Sequence, residues 1–204
     1  MYKRQEIDWG DDGRYVDYRT IYEGRYPILR KSYERWKMTD SMEFSMFMDE
    51  NKEWIYDYSL FMAVKDSLGG IPWTEWPQDI RNRQPDAVQQ MQIKLADEIH
   101  FQQYMQYLFY TQWNALKSYA NKNHIRIIGD IPIYVAMDSA DVWAHPELFR
   151  LDEDRRPYEV AGCPPDGFSE TGQLWGNPIY DWELNRQTGY SLSLIHISEP
   201  TRLR

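Results

Sequence analysis

The sequence predicts an α/β fold, an incomplete (β/α)8 TIM-barrel fragment with large helical insertions. Three observations predict it. A long helical pattern runs to Asn121-Lys122-Asn123, a short apolar run with strand character follows at 124–128, and Asp130 stands at the exit of that run. Helix, loop, buried strand and acid is the order found in an α/β barrel or a doubly wound sheet. A whole barrel needs about 250 residues, more than the 204 present. One strand alone reads convincingly, so the expectation is part of a barrel. Residues 6–123 would form a mainly helical insertion region, and 124–191 a barrel strand with a loop over its mouth.

Taken in order, Pro27 suits a first helical turn, and Leu29, Tyr33 and Trp36 recur at helical spacing, predicting a short helix over 27–37. A second helix starts near Ser41, with Phe44 and Phe47 or Met48 on one side. Trp54, Tyr58, Phe61 and Lys65 place a third over about 52–67, which Gly69-Gly70 and Pro72 terminate. Three prolines and two tryptophans make 71–85 a structured loop. Val88, Met91, Leu95, Ile99, Leu108, Trp113 and Leu116 then predict one continuous helix from about Asp86 to Ala120. At 1.5 Å per residue it would extend roughly 50 Å. His124–Ile128 follow as a strand that resumes over 131–135. Asp138 is placed to cap a short helix reaching Trp143, with Asp141 near the favourable end of its dipole. From Pro146 to Asn185 the chain is rich in Pro, Gly, Asp and Asn with little periodicity. A loop of that length in a compact domain is usually functional.

Composition narrows the function. With 23 basic against 32 acidic residues the formal charge is −9, which argues against a nucleic-acid or anionic-membrane partner. No run of 18 apolar residues is present, as a membrane span would require. The single cysteine, Cys163, excludes an internal disulfide and has no recognisable base beside it. His100, His124 and His145 lack a spaced partner and read as surface or core residues, and Asp152-Glu153-Asp154 reads as a solvated run. The anomaly is aromatic: 9 Trp, 16 Tyr and 7 Phe, a density that lines cores, interfaces or sugar sites.

Both ends look foreign. Residues 192–204, beginning Leu192-Ser193-Leu194-Ile195-His196-Ile197-Ser198, resemble the translation of a sequencing-library adapter, and 1–5 resemble the same adapter from the other strand. The alternative is a genuine polar tail. Without these ends, four basic residues and one acidic residue drop out and the formal charge becomes −12. A displaced N-terminus leaves the question of a signal peptide open.

Two places can carry chemistry. Asp130, between Gly129 and Ile131-Pro132, would point into the mouth of a barrel, or else cap a turn before the proline. The stretch Gly162 to Pro178 is held in shape by prolines and glycines. Between them stand an aromatic platform, Phe168 and Trp175, and forked polar groups, Asp166, Gln173 and Asn177. Sugars need that mixture, because C–H faces lie on rings and vicinal hydroxyls take paired hydrogen bonds. The bland reading is a surface loop whose Trp175 plugs the core.

The residues themselves carry a resemblance. Ile127-Ile128-Gly129-Asp130-Ile131-Pro132-Ile133-Tyr134-Val135-Ala136, Asp138-Ser139-Ala140-Asp141-Val142-Trp143-Ala144, and Val160-Ala161-Gly162-Cys163-Pro164-Pro165-Asp166 through Trp175-Gly176-Asn177-Pro178-Ile179-Tyr180-Asp181-Trp182 resemble the 4-alpha-glucanotransferase family (amylomaltase, or disproportionating enzyme). Tyr26-Pro27-Ile28-Leu29-Arg30-Lys31, Gly69 through Pro77 and Ala96-Asp97-Glu98-Ile99 match it too.

The resemblance implies a cytoplasmic (β/α)8 enzyme without metal or organic cofactor. Its donor would be a maltodextrin or other α-1,4-glucan and its acceptor glucose or a maltooligosaccharide, with no nucleic acid or membrane involved. The implied reaction is retaining double displacement. A carboxylate attacks the anomeric carbon while a carboxylic acid protonates the departing oxygen, then deprotonates the 4-hydroxyl of the acceptor. Asp130 would hold the non-reducing-side glucose. Residues 162–178 would form a lid that keeps water off the intermediate, with Asp166, Phe168, Ser169, Gln173, Trp175, Asn177 and Pro178 binding substrate. The family's nucleophile, acid/base and stabilising acid lie on later strands, so no catalytic residue is assigned here and the 204-residue polypeptide is expected to be inert. The competing expectation is a stand-alone, non-catalytic glycan-binding or scaffold protein.

Overall fold

Residues 14–39, 41–129 and 134–190 are described by the structure, a computed structural model. Helices come first. α1 (Tyr18–Trp36) starts nine residues before the expected 27, because Asp17 caps it: its carboxylate accepts from Thr20 N at 3.1 Å and from Thr20 Oγ1 at 2.8 Å. Pro27 therefore lies inside the helix, not in its first turn. α2 (Met42–Glu50) and α3 (Lys52–Ser67) stand where periodicity puts them, and Ser41 caps α2 by accepting from Phe44 N at 3.2 Å. The expected loop 71–85 instead holds a 3-10 turn (Trp73–Glu75) and α4 (Gln78–Arg81).

The predicted 86–120 helix is two helices, α5 (Pro85–Lys94) and α6 (Ala96–Lys122), broken at Leu95. No Gly or Pro marks the break. Leu95 is instead buried in the core cluster that also holds Leu60, Phe61 and Val64 of α3, so tertiary packing overrides local continuity. The expected strand over 124–128 is absent: residues 125–129 pair with no strand among the described residues. His124 instead takes φ +60° as the residue closing α6, its N–H donating to Asn121 O and that of Ile125 to Ala120 O, both at 3.0 Å. Residues 131–133 of the expected resumption, and the adapter-like ends 1–5 and 192–204, lie outside the described residues.

α7 (Ala140–Ala144) is capped by Ser139 rather than Asp138. Asp138 is otherwise engaged, accepting from Trp73 N at 3.2 Å and pairing with Lys65. The stretch after Pro146 is more ordered than its composition suggests. β1 (Val160–Cys163) and β2 (Gln173–Pro178) form an antiparallel hairpin, and α8 (Trp182–Gln187) follows.

Three aromatic-rich clusters hold these elements. The largest joins α3, α4 and α7 through Phe61, Val64, Trp73, Trp76, Ile80 and Trp143. Tyr33, Phe101 and Tyr104 close α1 on α6, and Phe47, Met48 and Ile55 close α2 on α3. Part of the anomalous aromatic content is thus core, Trp73, Trp76, Trp143, Tyr33 and Phe101 among it. Of the described helices none is long and apolar enough to cross a membrane.

Candidate functional site

The hairpin is shaped by backbone approaches that only glycine allows. Gly172 has φ +73°, and a Cβ there would stand 2.5 Å from Cys163 O; one on Gly162 would stand 2.7 Å from Gln173 O. The register shifts between Val160 and Gly162, opposite the stretch where Gly176 takes φ +78°. At the turn, Asp166 accepts from Phe168 N and Ser169 N, each at 2.9 Å. These two amides, helped by the Cys163 thiol at 3.6 Å, hold its carboxyl below the usual carboxylate range. Ser169 Oγ donates to Gly172 O at 2.7 Å and completes the brace.

That brace pushes apolar groups outward. Phe168 is 99% exposed and Leu174 81%, and Trp175 is about half exposed at 49%. Trp175 therefore does not plug the core. Its indole donates to Gln173 Oε1 at 2.9 Å, which orients the ring. Asn177 turns inward, Nδ2 donating to Val135 O at 2.8 Å, and Pro178 is buried opposite Val160.

The Asn177 bond places the hairpin beside the segment that follows Asp130. Tyr134 lies 6.3 Å from Trp175 and stacks on Tyr180 at 6.1 Å and 15°; Tyr180 also meets Phe149 at 5.1 Å and Trp182 at 5.2 Å. Burial, then the charge of Asp141, push the Tyr180 phenol up. The result is a strip of rings running from the hairpin to Phe149 and the start of α8. Asp130 lies outside the described residues. Phe168 lies in the turn and Trp175 on β2 of one hairpin, with Asp166 and Ser169 in the same turn and Gln173, Asn177 and Pro178 on the same strand.

Sequence reasoning missed Tyr134 and Tyr180 as members of this surface. Tyr134 sat within an apolar run read as strand, and nothing local signals the contact between residues 42 apart that brings Asn177 to Val135. Of the other residues singled out, His100 is half-buried against Tyr33, whose hydroxyl is 3.0 Å from its Nδ1, and burial lowers its pKa. His145 lies 3.5 Å from Glu147. Asp152 caps a turn by accepting from Arg156 N at 2.8 Å, while Glu153 and Asp154 are exposed. Among the described residues no three His, Cys, Asp or Glu side chains gather as a metal site.

The family described as 4-alpha-glucanotransferase matches residues 2–199, and the chain belongs to that family. It is 42% identical over 200 residues to the 4-alpha-glucanotransferase of Clostridium butyricum, covering 98% of this chain and 41% of that protein. It is 45% identical over 206 residues to that of Thermus thermophilus, covering 99% and 41%. Among solved structures it resembles the amylomaltase from Streptococcus agalactiae in complex with acarbose. The TM-score is 0.90 at 41% identity, over 95% of this chain and 40% of that one. The chain thus spans about two-fifths of the length of the relatives it matches.

Proposed function

We propose that the chain supplies one wall of the glucan cleft of a 4-alpha-glucanotransferase. The whole protein would move α-1,4-glucan segments to the 4-hydroxyl of glucose or another glucan by retaining double displacement. In this reading the chain is part of a (β/α)8 barrel carrying large helical insertions, and the carboxylates that perform the displacement come from other parts of the whole protein. The observation that carries the proposal is the hairpin: two outward rings, Phe168 and Trp175, on a braced turn tied to the segment after Asp130.

Phe168 and Trp175 would take the C–H faces of successive glucose units, and Asp130 would hold hydroxyls of the non-reducing-side glucose. Asp166, Ser169, Gln173, Asn177 and Pro178 would form the rim, their internal bonds fixing the rings before sugar arrives. Fixing them beforehand lowers the ordering cost of binding. The donor would be a maltodextrin and the acceptor glucose or a maltooligosaccharide.

Calorimetric titration with acarbose, the ligand of the related amylomaltase, tests this. The 204-residue chain is expected to bind it, and the Phe168→Ala/Trp175→Ala double variant to bind at least about tenfold more weakly, a loss of ~1.4 kcal/mol. Equal affinity in the double variant would remove the hairpin from the glucan site.

A further inference from the structure

A cavity of about 220 Å³ opens where α3, α6 and α7 meet, apart from the hairpin. One wall is a set of packed rings. Trp54 meets Tyr58 edge to face at 5.8 Å and is tilted against Tyr110 at 5.9 Å. These rings are pinned: Trp54 Nε1 donates to Asn51 Oδ1, and Tyr58 Oη accepts from Gln106 Nε2, each at 3.1 Å. Glu53, Asp141 and His145 complete the lining. A further carboxylate at the rim, Asp57, is already matched by Arg83 at 2.6 Å, whose guanidinium lies 4.3 Å from the Trp143 ring.

Ring wall and forked acceptors together are the chemistry of a pyranose site, with a C–H face for the rings and vicinal hydroxyls for the carboxylates. The size limits the occupant, since drug-sized ligands fill about 300–1,000 Å³. Trp54 stands edge to face on Tyr58 and tilted on Tyr110, so the rings present faces inclined to one another, and an organic cation is the competing occupant that the titration separates from a sugar.

We propose that this cavity is a second carbohydrate pocket, taking one pyranose unit of a neutral α-1,4-glucan. The choice of sugar rests on the reading under Proposed function; the pocket itself rests on its own residues.

Indole N–H signals of the 15N-labelled chain, titrated with maltotriose, separate the two sites, because Trp54 and Trp175 each report from one. The Trp54 signal is expected to shift on addition of sugar. Ala144→Leu, which fills the cavity from the end of α7, should abolish that shift while the Trp175 response persists. If that variant loses its dispersed spectrum, Glu53→Ala at an exposed position should raise the maltotriose concentration needed to shift Trp54 by about tenfold. A shift at Trp175 with none at Trp54 overturns the second pocket and leaves the hairpin reading intact. A shift at Trp54 alone, lost in Ala144→Leu, supports the pocket and overturns the hairpin. Silence at both indoles overturns both, and a Trp54 shift with tetramethylammonium but not maltotriose overturns the sugar assignment.

Discussion

Asp66, exposed on α3, shows how a charge is held among polar neighbours. Its Oδ2 accepts from Gln102 Nε2 at 2.9 Å, and the same amide lies 3.3 Å from Tyr26 Oη. Desolvation first, and the Glu98 charge second, raise its carboxyl above the ordinary value, with Gln102, Arg30 and Lys65 pulling the other way. The sign follows from linkage. Near neutral pH the group is charged folded and unfolded, and the native state alone bears the desolvation cost. Below the carboxylate range it is protonated in both, and the cost disappears. Asp66→Asn keeps an acceptor for Gln102 and removes the charge. Its Tm should exceed that of the parent at about pH 7 and converge with it by about pH 3, as scanning calorimetry at the two pH values would show. A lower Tm for the variant at neutral pH would mean that the charge is stabilising there.

The elements divide by what made them legible. The start of α2 and both ends of α3 could be placed to within a residue or two, because their signals are local: Ser41 caps one, and Gly69 and Gly70, at φ +76° and +80°, close the other. The break at Leu95 goes with its burial in the cluster formed with α3, which no local signal announces, and Ile125–Ile128 carry the composition of a strand while pairing with none among the described residues. The hairpin stayed hidden because Val160–Cys163 and Gln173–Pro178 lack alternation and contain two glycines and a proline. Asp166, Gln173 and Asn177 could be singled out as candidates from residue type, and the structure spends Asp166 and Asn177, with Ser169, on internal bonds. α7 makes the energetic point. Five residues form no stable helix alone, and Trp143 anchors this one: it is buried, donates to Ile80 O at 3.2 Å, and packs on Phe61 and Trp76 at 5.8 and 5.6 Å. Trp143→Ala should cost about 3–5 kcal/mol by the cavity it leaves, read from urea unfolding. A loss below about 1 kcal/mol would show that the site collapses and that α7 is held by Asp138 and Ser139 instead.

Across the whole molecule, the net charge of −9 opposes association while one apolar surface favours it. Leu116 and Tyr119 stand on one side of the last turns of α6 and are 55% and 69% exposed; Ile125 and Ile128 beyond it are 60% and 92% exposed. The bond from Ile125 N to Ala120 O at 3.0 Å keeps the start of that segment against the helix end. Exposed apolar groups gathered in this way drive association once long-range repulsion is screened. The Debye length falls from about 30 Å at 0.01 M salt to about 8 Å at 0.15 M. Sedimentation velocity should therefore show a monomer at low salt and concentration-dependent growth at high salt. The Ile125→Glu/Ile128→Glu variant should remain monomeric in both, since it removes apolar area and adds charge of the sign already in excess. If the variant associates as the parent does, the contact lies elsewhere, and the exposed Phe168–Leu174 tip of the hairpin becomes the surface responsible.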